Sequence, residues 1–171
     1  NSLKILSFNV GSPHFMHYNK KIDPTILIGE NVSDTWQRAQ ILNDIIKKTF
    51  TTDKIDICCL QEGFSILETI LDRDFPLTKI GTYDIPHKLD ATNRVSKLIT
   101  YINTDKFYIV DETSLYDTYY KKLNINYPSR TQMFHLTDKY TGEKYILINI
   151  HGLGIPTIQL RKTFLQTLIK Y

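Results

Sequence analysis

Residues 54–62 read KIDICCLQE, and this stretch decides the fold that the sequence predicts. Its apolar centre is too short for a typical helix and is bounded by polar residues, which indicates a buried strand of a parallel sheet. Glu62 comes where that strand ends, and a carboxylate at such a place is either solvated or neutralised by a partner such as a cation. The stretch therefore predicts an α/β protein with a polar group at a strand end.

Two further elements precede this strand. Residues 4–10 (KILSFNV) alternate with the two-residue period of a β-strand. Residues 14–31 have no sustained period and are predicted to form a long loop. Ser33 and Asp34 can cap a helix that runs to about Phe50. Its apolar residues recur at helical spacing: Trp36, Ala39, Leu42, Ile45 and Ile46. Strand, helix and strand in this order predict a crossover unit.

The rest of the chain adds helices and strands in a mixed order. The predicted segments are a helix at 65–71, strands at 97–102, 107–110, 132–136 and 145–150, and a helix at 157–171. Turn residues at 138–142 predict that the last two strands form a hairpin. Helices flanking a mixed sheet give a layered α/β domain.

The composition is typical of one globular domain over residues 1–171, since 42% of the residues are hydrophobic and 23% are charged. The formal charge of +3 tolerates a phosphate-bearing partner without defining a nucleic-acid binder. Cys58 and Cys59 are adjacent and are poor disulfide partners for one another, which favours a reducing compartment, either cytoplasmic or nuclear. No apolar stretch approaches the roughly 18 to 20 residues of a membrane helix.

Polar residues stand at the ends of three predicted strands. Asn9 ends the first strand, Gln61 and Glu62 end the second, and His151 ends the last. Sites in α/β folds are built at strand ends, so we expect these side chains to converge at one edge. Considered alone, each of these residues has an ordinary structural interpretation: Asn9 as a turn residue, Glu62 as a solvated strand end and His151 as a packing residue. Gln61 is expected to support the loop.

Five segments occur together in an informative order: LSFNV, W-x-R followed by a helix, DICCLQE, LITYINTDKF and ILINIHG. In order and approximate spacing they resemble the endonuclease/exonuclease/phosphatase superfamily, over nearly the whole chain. The resemblance implies a layered α/β sandwich of the deoxyribonuclease I type. This chain would supply its N-terminal half to two-thirds, namely the first sheet with its helices and part of the second sheet.

The resemblance also implies roles for individual residues. Glu62 matches a direct Mg²⁺ ligand, with Mn²⁺ as an alternative ion, and Asn9 matches the metal and phosphate site. His151 matches a residue that contacts the scissile phosphate or assists proton transfer. Asn149 is grouped with it as catalytic, because it shares the strand face of His151 and could orient it. Arg130 matches a substrate-side arginine suited to a bidentate phosphate contact.

Other matching residues have simpler structural interpretations. Trp36, Tyr101 and the two cysteines, Cys58 and Cys59, are expected to pack in the core. Arg38 is expected to form an ion pair.

Two segments of the superfamily pattern, G-D-x-N and S-D-H, do not occur in this chain. They normally supply the groups that activate water. Arg161 and Gln166 match the helix that precedes the first of them. We therefore expect a second segment or chain to complete the fold, and we expect the chain alone not to be an active monomer.

The expected function is that of a Mg²⁺-dependent phosphoesterase that hydrolyses phosphodiester bonds, with nucleic acid as the first choice of substrate. Residues 116–127 (YDTYYKKLNINY) support that choice, because tyrosines can stack on bases and lysines can pair with phosphates. One alternative is a phosphatase or phosphodiesterase that acts on lipid or inositol headgroups. Another is a non-catalytic binding member of the superfamily.

Overall fold

The computed structural model describes residues 2–11, 32–86, 95–110 and 131–151, and every structural statement below concerns these residues. They form two helices and seven strands. The helices are α1 (Val32–Asp53) and α2 (Ser65–Asp74). The strands are β1 (Ile5–Asn9), β2 (Ile57–Gly63), β3 (Thr78–Pro86), β4 (Val95–Ile102), β5 (Phe107–Val110), β6 (Thr131–Asp138) and β7 (Lys144–Ile150).

The strands form two sheets. The four-stranded sheet has the order β1-β2-β4-β3, and the three-stranded sheet has the order β5-β6-β7. β1 runs parallel to β2, as the crossover unit predicts, whereas all other neighbours are antiparallel. The predicted hairpin of β6 and β7 is confirmed.

The central strand β2 is buried on both faces, as its apolar run predicts. Cys58 and Leu60 belong to a core shared with the helices, while Ile57 and Cys59 belong to a core shared with the three-stranded sheet. Successive side chains of a strand point to opposite faces, so one strand supplies both cores. The molecule is therefore layered as helices, four-stranded sheet and three-stranded sheet.

The helices pack on the four-stranded sheet through one apolar stripe each. The stripe of α1 includes Ala39, Leu42 and Ile46. Trp36, expected in the core, is instead 44% exposed. Each residue turns the helix by roughly 100°, and Thr35, not Trp36, faces inward at this end of the stripe.

Aromatic rings fill the gap between the helices and β4. Phe75 packs edge-on against Phe50 and Tyr101, with ring centroids 5.5 Å and 5.3 Å apart. The Tyr101 hydroxyl donates to Asp72 at 2.9 Å. The expectation that Tyr101 packs in the core is confirmed.

Several sequence predictions lie outside the described residues. These are the loop at 14–31, the tyrosine-rich segment at 116–127, Arg130, and the helix at 157–171 with Arg161 and Gln166. Among the described helices, none is long and apolar enough to cross a membrane.

Candidate active site at the strand ends

Asn9, Glu62 and His151 meet at one point of the structure. Asn9 pairs in register with Gln61, so the ends of β1 and β2 lie side by side. The Asn9 Nδ2 atom donates to Glu62 Oε1 at 3.0 Å, and His151 Nε2 lies 2.9 Å from the same oxygen. Because His151 follows β7, the three-stranded sheet also contributes to the cluster. The structure thus brings the three strand ends together.

The orientation of Asn9 follows from the turn after β1. Asn9 Oδ1 accepts a hydrogen bond from the Gly11 N–H at 3.0 Å, and Gly11 has a φ of +67° that favours glycine. With its oxygen held by this turn, the amide presents its NH₂ group to Glu62.

Glu62 lies on an irregular backbone. Its φ is +56°, and the pairing of β2 with β4 shifts register between Leu60 and Gly63. Such a bulge redirects a side chain, and non-glycine residues in the left-handed region are concentrated at functional sites. At the next position a Cβ atom on Gly63 would lie 2.7 Å from Ile99 Cδ1, so this backbone is fitted closely to β4.

The Nε2 atom of His151 contacts Glu62, which orients the imidazole ring, and Nδ1 is the second ring nitrogen. The residue is 8% exposed, and among the described residues nothing hydrogen-bonds to its buried Nδ1 atom. An ionised carboxylate only accepts hydrogen bonds, so Nε2 must carry the proton that faces Glu62. In this tautomer the Nδ1 atom carries a lone pair that can accept a hydrogen bond.

Comparison with known proteins supports the fold. No known family profile matches the sequence, and no curated protein matches it. An endonuclease/exonuclease/phosphatase from Bacteroides vulgatus has a similar structure, with a TM-score of 0.59 over 98% of this chain and 14% identity. A mannosyl-6-phosphatase from Bacteroides thetaiotaomicron has a TM-score of 0.59 over 99% of this chain and 18% identity. The chain has the endonuclease/exonuclease/phosphatase fold.

The extent of the match is also informative. The chain spans 59% of the length of each of these two structures. The human nocturnin catalytic domain, determined with a bound sulfate anion, is similar over 85% of this chain and 48% of its own length, with a TM-score of 0.50 and 13% identity.

In this endonuclease/exonuclease/phosphatase fold, Asn149 lies beneath the site formed by Asn9, Glu62 and His151. It is 1% exposed, and its Oδ1 atom accepts from Gln61 Nε2 at 2.8 Å. Its amide nitrogen donates to Thr100 Oγ1 at 3.0 Å. Its contacts under Gln61 are those of a residue that supports the site, and its grouping with His151 as catalytic stays a prediction. Gln61, expected to support the loop, is held in the same buried contacts.

Arg38 is a site residue whose role the sequence does not reveal. Its Nη1 atom donates to the carbonyl oxygens of Val10 and Gly11, and the guanidinium lies 4.6 Å from the centre of the Phe64 ring. These contacts bind α1 to the segments that follow β1 and β2. The W-x-R pattern marks the position, but its partners are backbone carbonyls and a ring that no local pattern indicates.

The oxygen atoms of Glu62 and Asn9 suit a hard cation that binds few protein ligands. Mg²⁺ usually keeps several waters and binds one or two carboxylates together with substrate phosphates. Glu62 supplies one carboxylate, and Asn9 Oδ1 keeps a second lone pair beside its bond to Gly11. No group of three or more His, Cys, Asp or Glu side chains that could hold a metal occurs in the described ranges. The metal roles of Glu62 and Asn9, and the phosphate role of Arg130, stay predictions.

Proposed function

We propose that the protein is a Mg²⁺-dependent phosphoesterase that hydrolyses phosphodiester bonds, with nucleic acid as its substrate. The observation that carries the proposal is the single carboxylate oxygen of Glu62 shared by Asn9 and His151 at the strand ends of this fold. A carboxylate, an amide and an imidazole together offer a cation ligand, a hydrogen-bond donor and a proton-transfer group.

Each residue has a distinct part in the proposed reaction. Glu62 would hold Mg²⁺, with waters and phosphate oxygens as the remaining ligands, and the ion would neutralise charge on the phosphate. Asn9 orients the carboxylate through its 3.0 Å hydrogen bond. His151 stabilises the phosphate as a donor or transfers a proton at Nδ1, whose partner is not among the described residues.

Activation of the attacking water requires a further group. Within the described ranges no second carboxylate joins Glu62 and His151 to form a larger acidic cluster. We therefore propose that the general base comes from residues outside those ranges.

A second candidate function is a phosphatase or phosphodiesterase that acts on lipid or inositol headgroups. The mannosyl-6-phosphatase among the similar structures favours it, because that name describes hydrolysis of a phosphate on a polyhydroxylated ring. The third candidate, a non-catalytic binding protein, is disfavoured because a scaffold has no physical need for Glu62 and His151 at hydrogen-bond distance in a partly buried site.

A substrate panel separates the candidates. The protein, together with the segment or chain that completes the fold, would be incubated with single-stranded DNA, RNA, phosphoinositides and sphingomyelin, once with Mg²⁺ and once with EDTA. We expect hydrolysis of an oligonucleotide that EDTA abolishes. Preference for a phosphoinositide would establish the second candidate, and absence of both hydrolysis and Mg²⁺ binding would establish the third.

Substitution tests the metal ligand. Glu62→Gln keeps the shape of the side chain and removes its charge, so we expect activity in limiting Mg²⁺ to fall by about 100-fold. Glu143→Gln, at an exposed residue before β7, is the matched control and should leave activity unchanged. Wild-type activity of Glu62→Gln would remove Glu62 as a ligand, and activity that resists EDTA would overturn the metal requirement.

A further inference from the structure

Four polar side chains lie buried between the two sheets, directly beneath the candidate site. We call them the inter-sheet cluster, and they are Gln61, Thr100, Gln132 and Asn149, each at most 8% exposed. They come from β2, β4, β6 and β7, so the cluster joins strands of both sheets.

The cluster is a connected chain of hydrogen bonds. Thr100 Oγ1 donates to Gln132 Oε1 at 2.7 Å, and Asn149 Nδ2 donates to Thr100 Oγ1 at 3.0 Å and to Gln132 Oε1 at 3.2 Å. Gln61 Nε2 donates to Asn149 Oδ1 at 2.8 Å. The Thr100 hydroxyl is thus acceptor for one neighbour and donor to another, which places it at the centre of the network.

The surroundings of the cluster make its polarity informative. Apolar side chains such as Ile102, Phe134 and Leu147 form a core between the same two sheets. Buried polar groups cost free energy unless they are hydrogen-bonded, and replacing both partners of such a bond by apolar groups of the same shape can be nearly neutral. Hydrogen bonds have a preferred direction, so a fully paired network fixes how two surfaces sit against each other more tightly than apolar packing does.

The place of the cluster in the chain connects it to the site. Gln61 directly precedes Glu62, and Asn149 is two residues before His151. The 2.8 Å bond between the two amides therefore lies just below the 2.9 Å contact between Glu62 and His151. A shift of one sheet against the other would therefore change both the hydrogen bond between the amides and that contact.

We propose that Thr100 and Gln132 are positioning residues, which act through Asn149 and Gln61 to fix the distance between Glu62 and His151. Neither contacts Glu62 or His151 directly, since their hydrogen bonds run to Asn149, to each other and, from Thr100, also to Cys59. This inference rests on the proposed phosphoesterase function, because it assigns the residues a role in holding that function's reaction centre.

Variants at Thr100 test the proposal with matched controls. Thr100→Val keeps the shape and removes the hydroxyl, whereas Thr100→Ser keeps the hydroxyl and removes a methyl group. Ile102→Val lies on the same strand, is fully buried in the same inter-sheet core and has no hydrogen bond to lose. It therefore measures the effect of lost packing alone.

Two measurements are made on each variant. In NMR spectra we expect Thr100→Val to shift the backbone amide resonances of Glu62 and His151, and Thr100→Ser and Ile102→Val to leave them in place. In hydrolysis assays we expect Thr100→Val to lower kcat by about 10- to 100-fold with little change in KM, and Thr100→Ser to restore it. Unchanged resonances and unchanged kcat in Thr100→Val would show that the cluster serves stability alone.

The design separates this inference from the proposed function. If the wild-type protein hydrolyses nothing in the panel, the proposed function fails while the NMR shifts still decide whether the cluster positions the site. If the wild-type protein is active and Thr100→Val shifts neither resonance, the positioning role fails alone. Should Thr100→Val not fold, Gln132→Met, which removes the shared acceptor at similar length, is expected to give the same shifts, and their absence would overturn the proposal.

Discussion

Glu62 shows how a single residue can combine chemistry with backbone strain. Its φ of +56° is uncommon for a residue with a Cβ atom, and its side chain is 15% exposed where it meets Asn9 and His151. Strain of this kind persists where the surrounding structure imposes it, here the bulge of β2 against β4. The same backbone that aims the carboxylate should therefore lower the stability of the protein.

Glycine at this position should relieve the strain. Glu62→Ala and Glu62→Gly both lose the side-chain contacts, but only alanine must hold its Cβ atom at positive φ, which costs about 1 to 2 kcal/mol. Part of this gain is offset because glycine is more flexible in the unfolded chain. We expect the glycine variant to be more stable than the alanine variant by about 1 kcal/mol in urea unfolding.

The matched pair for this comparison is at Glu143, whose φ is not positive. There the order should reverse, so that Glu143→Ala is the more stable variant. An alanine variant at Glu62 as stable as the glycine variant would show that the backbone there is not strained.

At the residue scale the sequence predicts the residues of the candidate site itself better than the buried residues beneath them. Asn9, Glu62 and His151 are recognisable because each follows an apolar strand, where a polar side chain needs a reason. Thr100 and Gln132 lie inside strands, and only the three-dimensional pairing shows that they meet Asn149. Their polarity within apolar runs is a signal, but it does not name their partners.

At the scale of elements, Arg38 links α1 to the ends of two strands. Its bonds to the carbonyls of Val10 and Gly11 use a charged donor, and such bonds contribute about 1.5 to 3 kcal/mol each when their groups are partly buried. Lysine cannot reproduce the planar donor group or its stacking on Phe64.

We therefore expect Arg38→Lys to lower the free energy of unfolding by about 1 to 3 kcal/mol. Arg73→Lys is the matched control, because Arg73 is largely exposed in its ion pair with Asp74, and it should leave the free energy of unfolding nearly unchanged. Urea unfolding of both variants measures the difference. Equal effects would show that the two carbonyl contacts contribute little.

The elements themselves could be predicted where the apolar pattern was regular. β2, the long helix α1 and the hairpin of β6 and β7 agree with the sequence to within a few residues. β3 was not predicted, because its sequence TKIGTYDIP contains Gly81 at a register shift and does not alternate. It lies at the edge of its sheet, where a regular apolar pattern is not required.

At the scale of the whole molecule, the sequence does not show how strands divide between sheets. β4 and β5 are separated by only four residues, yet they belong to different sheets. Strand pairing is set by contacts distant in the sequence, whereas propensity and turn signals are local. The layered class was therefore predictable from the sequence, while the sheet order required the structure.

Charge pairs beside the helices make stability depend on pH. Burial raises the pKa of Glu68, but hydrogen bonds from Lys79 and Lys97 outweigh it, so the pKa lies below its ordinary value of 4.5. A carboxyl group with a lowered pKa in the folded state stabilises the protein above pH 4.5, and this contribution is lost as the pH falls through the folded-state pKa.

We expect the free energy of unfolding to fall as the pH is lowered below about 5, and to fall less steeply in Glu68→Gln. The variant should be less stable than the wild type at pH 7, and the difference should shrink in acid. Urea unfolding between pH 3 and pH 7 measures both curves, with Glu143→Gln as the control. Parallel curves for the wild type and Glu68→Gln would contradict the assignment.

The two cysteines can report whether the two cores open together. Cys58 faces the helices and Cys59 faces the three-stranded sheet, and both are free and buried. Burial raises the pKa of both thiols, that of Cys59 to about 12, although a hydrogen bond with Thr100 opposes the rise there. Because the thiolate is the reactive form, neither should react in the folded protein at pH 8.

Since both cysteines lie on β2, the strand shared by the two cores, we expect them to become reactive in one step as urea unfolds the protein. Alkylation followed by mass spectrometry of the separate peptides would measure each rate. Ser65→Cys, at an exposed position, provides a fast-reacting control in the same chain. If Cys59 reacted well before Cys58, the sheets would separate while the helices stayed packed, and the contact between Glu62 and His151 would be lost before the protein as a whole unfolds.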